Sequence, residues 1–218
     1  MDKARGTSKN SKASFGACSK VAGLPRRYAS RNDERGVFRG APSIVECYGC
    51  GALVENIAGQ PHKYIGANQG CWDLFGQILA KEFGEYKYPE NTHRLTVDTY
   101  AIQHPGQPNR QAIQSVNIHL ISLYCVFIKG LSGKEATKVM GKVLENSPNF
   151  EWLEPPIPNG KMTIIDVLKA KNQTEHEKIV QEWAKDVFGC WYSKHKQAIE
   201  KNIIHHFSTE RRGYDSCD

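Results

Sequence analysis

Beyond residue 44, apolar residues recur at spacings of three and four over most of the chain. That 3.6-residue period predicts a mainly helical protein. Trp72, Phe75, Leu79 and Phe83 mark one face of a helix over 71–83, with Gly84 as its stop. A second helix is expected over 92–103. It ends before His104-Pro105-Gly106, because a proline disfavours helical geometry in the residue that precedes it. The strongest signal covers 110–129, where apolar residues from Ile113 to Ile128 take up most of the circumference. A helix of that kind is buried nearly all round. Its exception is a line of Gln111, Ser115, His119 and Ser122, spaced four, four and three apart, which predicts a polar stripe directed into the interior.

Three more helices are announced by capping boxes, in which a hydroxyl and an acid three residues on satisfy orphan backbone donors. They are Ser132-x-x-Glu135, running to about residue 145; Thr163-x-x-Asp166, running to Ala170; and Thr174-x-x-Glu177, running to about Phe207. Between the first two, the Pro-rich run from Trp152 to Pro158 reads as an extended connection laid over the surface. No alternating run reaches strand length, although the Cys47–Cys50 region suits a short hairpin. The expected architecture is a compact bundle of five to six helices, led by a small Cys-rich, zinc-knuckle-like segment.

Residues 1–40 lack this periodicity and are rich in Ser, Gly, Lys and Arg. They carry ten basic and three acidic side chains, a net +7, while the other 178 residues hold 19 basic and 20 acidic ones, a net −1. The whole-chain charge of +6 therefore belongs to the tail, and the body has no evident grip on a phosphate backbone. The expected division is a disordered basic tail over 1–40, a helical metal-binding domain over 41–208 and a flexible C-terminus over 209–218. The tail is read first as a solvated extension and second as a contact for nucleic acid or an anionic surface. The longest apolar stretch, Leu120–Ile128, is too short to span a bilayer, and no apolar leader follows the N-terminal basic residues. Seven cysteines, an odd number, suit a reducing compartment, so a cytoplasmic location is expected.

Cys18 and Cys217 fall in the ends, while Cys125 and Cys190 fall within apolar helical stretches as core residues. Cys47, Cys50 and Cys71 have turn-rich, polar surroundings. Cys47-Tyr-Gly-Cys50-Gly puts two thiols on a Gly-rich turn from which both can reach one ion, and Cys71 offers a third. Gly49 and Gly51 permit the positive dihedrals and close backbone approach that such a knuckle needs. The spacing resembles half of a zinc ribbon whose second Cys-x-x-Cys is missing. His104, on its turn, is the first choice for a fourth ligand, with His93, His62 and His119 as alternatives. Zn(2+) is the expected cofactor.

Asp98 and His119 are the candidate catalytic residues: within the stretch His93–His104 the Asp98 carboxylate can fix the tautomer of a histidine of that stretch or tune it for acid–base work, and His119 stands separately on the polar stripe of its helix. His62, His93, Tyr100 and Ser115 are expected to line the same pocket. Cys71 at a helix start is also a candidate nucleophile. His195, His205 and His206 read as a solvated face. Phosphate-binding Gly-rich loops are missing, His176-Glu177 lacks the partner histidine of a zincin, and no His-x-Glu accompanies the Cys-x-x-Cys as in deaminases.

From about residue 46 to 200 the chain resembles an uncharacterised bacterial family of unknown-function domains. The motifs that carry the resemblance are Cys47-Tyr-Gly-Cys50-Gly-Ala, Pro61-His-Lys-Tyr64, Gly70-Cys71-Trp72, His93-Arg-Leu-Thr-Val-Asp-Thr-Tyr100, Gln103-His-Pro-Gly106, Gln114-Ser-Val-Asn-Ile-His-Leu120 and Trp152-Leu-Glu-Pro-Pro156. The resemblance implies that Cys47, Cys50, His62, Cys71, His93, Asp98, His104 and His119 belong to one pattern, and it implies no activity. The leading expectation is a zinc-binding helical protein acting as a small-molecule metalloenzyme of hydrolytic type. One alternative is a non-catalytic binding module with a structural zinc and a tail that contacts nucleic acid or a protein partner. The other is a Cys71 thiol enzyme without metal.

Overall fold

The computed structural model describes residues 43–145 and 149–212, with side chains described to Ile203. The chain divides into two units, Met1–Arg39 and Gly40–Asp218, and the described residues belong to the second. The basic tail, Cys18, Cys217 and the side chains of His205 and His206 lie outside them. The described elements run β1 (Ile44–Glu46), β2 (Leu53–Glu55), α1 (Gln69–Gly84), α2 (Glu90–Gln103), α3 (Arg110–Phe127), α4 (Gly133–Glu145), α5 (Ile164–Leu168) and α6 (Gln173–Arg212). None of these helices is long and apolar enough to cross a membrane. The two strands pair antiparallel with Val45 opposite Val54, so the hairpin closes on the Cys47–Cys50 turn.

Helix α2 is the pivot. It packs against α6, α3, α4 and α1, and α1 in turn rests on α5 and β2. The core includes Ile102 from α2, Leu120 and Leu123 from α3, and Trp183 and Trp191 from α6, all fully buried. Truncating either indole to alanine would cost about 3–5 kcal/mol.

Five local expectations are corrected. On α1 the buried face is Cys71, Phe75, Ile78 and Glu82, whereas Phe83 is 60% exposed. The polar line on α3 starts at the surface with exposed Gln111, passes half-buried Ser115 and His119, and becomes interior only at Ser122. Thr174 does not cap α6: Asn172 does, its side chain accepting from the Glu175 amide, while Glu175 reaches back to the Lys171 amide. The Trp152–Pro158 run is anchored, not merely laid on the surface. Leu153 is buried, and the Glu154 and Pro155 carbonyls accept from the imidazole of His195 and the ammonium of Lys194. His195 thus leaves the solvated face expected of it and sits where α6 kinks.

The boxes at Ser132–Glu135 and Thr163–Asp166 form as expected. The last helix continues to Arg212, past the expected Phe207, since no glycine or proline occurs between Tyr192 and Gly213.

Buried polar hubs fix the helix pivot. Glu82 of α1 is fully buried; His176 of α6 and Thr96 of α2 donate to its Oε1 at 2.9 and 2.6 Å, and His93 of α2 donates to Oε2 at 2.7 Å. A buried carboxylate is tolerated only when its oxygens are satisfied in this way. At the other end of α2, Gln103 donates to the Asn159 and Met162 carbonyls and accepts from the Trp183 indole. Asn159 accepts from the Trp191 indole and donates to the Ile102 and Gln103 carbonyls. The last residues of α2 are therefore held from two sides.

Burial alone would raise the Glu82 carboxyl, but the bonds from His176, His93 and Thr96 outweigh it and leave the group below the usual carboxylate range. A carboxyl held down in the folded state stabilises above its unfolded pKa, and that contribution is lost as pH falls through the folded value. Glu82→Gln should therefore narrow the stability difference between pH 7 and pH 3 in denaturant titrations. Glu82→Ala should cost about 3–5 kcal/mol at pH 7, because it strips the histidines of their buried acceptor.

Candidate metal centre

Three separate pieces of chain meet at one point. The knuckle is shaped by its backbone: the Cys47 amide donates to the Ala52 carbonyl, the Gly51 amide donates to the Cys47 carbonyl, and Gly51 takes a φ of +76°. That left-handed conformation is the one a glycine adopts without penalty. Gly49 has a different task, close approach, because a β-carbon there would collide with the Gly66 carbonyl and the His104 ring. Tyr48 fastens the knuckle to the segment before α1, its amide donating to Asn68 and its hydroxyl to the Ala67 carbonyl.

Cys71 enters from the first turn of α1, whose neighbour Gly70 lies against the backbone of Glu55 in β2. His104 enters from the end of α2 with φ −123° and ψ 56°, outside helical geometry as the following proline demands. The Gly66 amide donates to the His104 carbonyl, and Ile65 bridges to Pro105, so the turn is laced to the strand-like segment beside it.

The ligand atoms of Cys47, Cys50, Cys71 and His104 all lie within 4.8 Å of one another. Among the described residues this is the one group of histidine, cysteine and acidic side chains that converges so closely. The Cys50 and Cys71 sulfurs are 3.8 Å apart, and the Cys71 sulfur is 3.3 Å from His104 Nε2. A tetrahedral ion with bonds of about 2.3 Å to sulfur and 2.0 Å to nitrogen separates two sulfurs by about 3.8 Å, and a sulfur from a nitrogen by about 3.5 Å. A disulfide would require about 2.05 Å, and all three thiols are free.

The imidazole is oriented for ligation. His104 Nδ1 lies 2.8 Å from the Tyr100 carbonyl, which can only accept, so the proton sits on Nδ1 and the Nε2 lone pair faces the sulfurs. The Tyr100 ring stacks on that imidazole at 4.0 Å, and its hydroxyl donates to the Cys71 sulfur at 3.6 Å. Burial and the adjacent Cys71 push the Tyr100 hydroxyl well above its usual range, so it stays a donor.

The three thiols also act on one another electrostatically. Hydrogen bonds from Cys50 and Cys71 pull the Cys47 thiol far down. The corresponding bond to Cys47 pushes Cys50 up to about 12, and bonds with Cys47 and Cys50 raise Cys71 higher still. A bound divalent ion would release the thiol protons and reduce three negative charges to a net −1, so the donor set suits a divalent metal ion.

The other expected residues are placed elsewhere. Asp98 is fully buried and accepts from His119 Nδ1 at 2.7 Å and from both Nε and Nη2 of Arg94. Burial pushes its carboxyl up, but the Arg94 charge and the His119 bond prevail and hold it below the usual range. Asp98 thus orients His119, and the carbonyl of Tyr100 does that service for His104. His93 belongs to the Glu82 hub, His62 is exposed beside Tyr64 and Trp72, and Ser115 is half-buried on α3. Tyr100 is brought to the cluster.

Beside the knuckle lies a cleft of about 940 Å³, walled by Tyr48, Lys63, Pro105, Trp152 and Pro155 and reached by Cys50. Its far wall is the Pro-rich run stitched to Gln103 and α6. Neither Trp152 nor Asn159 had been expected at a site.

Fold and centre together define a helical protein with a Cys3His cluster fit for a metal ion. The chain belongs to the family of unknown function DUF5946, which residues 45–192 match, roughly two thirds of its length and all four cluster residues. No curated protein and no solved structure matches it.

Gly49→Ala should destabilise the fold by about 1–3 kcal/mol, since neither the carbonyl nor the ring it meets can withdraw without repacking. Equilibrium denaturation checks this, with Gly76→Ala as control, a position with open space around it.

Proposed function

We propose that the protein is a zinc-binding module in which Cys47, Cys50, Cys71 and His104 hold one structural Zn(2+). That ion clamps the β1–β2 hairpin onto the helical bundle and keeps the adjoining cleft in shape for a ligand or partner. The observation that carries this reading is the convergence of four protein donors. Closed four-donor shells rich in cysteine are structural, whereas catalytic zinc keeps one position for water. When bound, the ion would supply a cross-link and offset two of the three thiolate charges. A two-stranded hairpin of three-residue strands is too small to hold its place unaided.

The hydrolytic reading is less well supported, because both oxygens of Asp98 are engaged by Arg94 and His119, and four protein donors would fill a tetrahedral shell. The thiol-enzyme reading suffers from the complete burial of Cys71. The basic segment 1–40 in this proposal is a non-specific contact for nucleic acid or an anionic surface.

Purified protein should carry one zinc per chain by elemental analysis. Cys71→Ser or His104→Ala should bring that value towards zero, and a strong chelator should lower the melting temperature of the wild type but not of Cys71→Ser. Zinc retention should fall as pH drops, because protons compete for the sulfurs. A metal-free wild type with an unchanged melting temperature would refute the reading. Deleting residues 1–40 should abolish retention on a polyanionic resin at low salt and leave the zinc count unaltered.

A further inference from the structure

Tyr48 is 71% exposed, yet it is tied down at two points: its amide donates to the Asn68 side chain and its hydroxyl to the Ala67 carbonyl. An aromatic ring fixed in this way has little freedom left to lose when a ligand settles on it. On the far wall of the 940 Å³ cleft, Trp152 packs partly against the core, and its indole donates to Glu154 Oε1 at 2.8 Å. That bond sets the plane of the indole and brings a carboxylate to its edge. A second carboxylate belongs to the knuckle wall: Glu46 Oε1 lies 3.5 Å from the point that a β-carbon on Gly51 would occupy. Lys63 is the one cationic side chain among the described lining residues. Pro105, Pro155 and Pro158 add apolar surface and, lacking N–H groups, offer a ligand no donor. Clefts of about 300–1,000 Å³ with apolar walls and a few placed polar groups are the usual form of small-molecule sites.

We infer that this cleft is a binding site for a small organic cation, an amine carried on an aromatic or aliphatic body. The inference rests on the reading above, in which zinc holds the knuckle wall with its Tyr48 and Glu46. Two carboxylates, one on each wall, offer an ammonium group the opposite charge, against a single like charge from Lys63. The Trp152 ring adds an attraction of a second kind, because a cation over an indole face is drawn to its negative quadrupole. Since the indole N–H is already engaged by Glu154, ring and carboxylate meet a ligand as one unit. The body of the ligand rests against Tyr48 and the prolines. An anion of the same shape meets two like charges and prolines that cannot donate to it. The cleft therefore selects by charge as well as by shape.

The test uses full-length protein whose zinc content is measured first. Phenethylamine, phenethyl alcohol and hydrocinnamate, which share one aromatic body and differ in charge, are titrated at neutral pH and low salt. Binding is followed by NMR at the Trp152 indole N–H, its resonance assigned by its loss in Trp152→Phe. Phenethylamine should shift that resonance saturably with a Kd about tenfold below that of the alcohol, and hydrocinnamate should bind more weakly than either. Added salt should weaken the amine and leave the alcohol unchanged. Glu154→Gln and Glu46→Gln should each weaken the amine about threefold at an unaltered zinc count, and Lys63→Gln should tighten it. Alcohol or hydrocinnamate binding as tightly as the amine, or no saturable shift with any of the three, would overturn the inference and leave the zinc clamp standing. Protein that carries no zinc would remove both.

Discussion

The approach of Cys71 to His104 across the end of α2, with the knuckle sulfurs closing over them, is the contact on which the described structure turns. It gathers chain positions 21 and 33 residues apart at separations close to those a tetrahedral ion imposes. Beyond it the hairpin is held by the two Tyr48 hydrogen bonds and the packing of β2 on α1. Its strands have three residues each, Ile44 and Leu53 point outward, and Ala52 and Val54 supply its buried apolar surface. Thiols gathered this closely form a poor adhesive by themselves, because ionising one opposes ionising the next. A cation converts that mutual repulsion into attraction. Glycines at 49, 66 and 70 let the backbones approach closely enough for this to occur.

The cluster depends in turn on polar groups buried deeper in the bundle. His104 stands at the end of α2, and α2 is located by the Glu82 hub near its start and the Gln103–Asn159 network at its end. Between these, Arg94 pairs with Asp98 and His119 hydrogen-bonds to it. A helix packed only through apolar contacts can slide or rotate by a fraction of a turn at little cost. Satisfied hydrogen bonds permit one register, since any other leaves buried charges unpaired. This is also why the Pro-rich wall of the cleft is well placed: it is bonded to the same residues that aim His104.

Much of this architecture is legible in the sequence. Helical periodicity and two of the three capping boxes identify six helices, because caps and apolar stripes are local signals. The four cluster residues are legible for a similar reason: a Cys-x-x-Cys on glycines, a cysteine at a helix start and a histidine before a proline each sit where the chain must turn. What local pattern hides is the pairing of buried polar groups. Glu82 does share a face with Cys71, Phe75 and Ile78, seven residues on from Phe75, yet a glutamate on an apolar face reads as a break in the stripe unless its partners are known. Those partners, His93 and His176, are 11 and 94 residues away. Asp98 was drawn to the metal by proximity in sequence to His104, but six residues along a helix carry it to another face, where His119 awaits it. The Pro-rich run looked like surface because prolines lack donors. Its carbonyls proved to be acceptors for Lys194 and His195.

X-ray absorption at the zinc edge of the purified, full-length protein examines the central contact most directly. The expected shell has three sulfurs at about 2.3 Å and one nitrogen at about 2.0 Å, with no oxygen scatterer. A shell with two sulfurs or fewer, or one completed by water, would contradict a structural clamp built from Cys47, Cys50, Cys71 and His104.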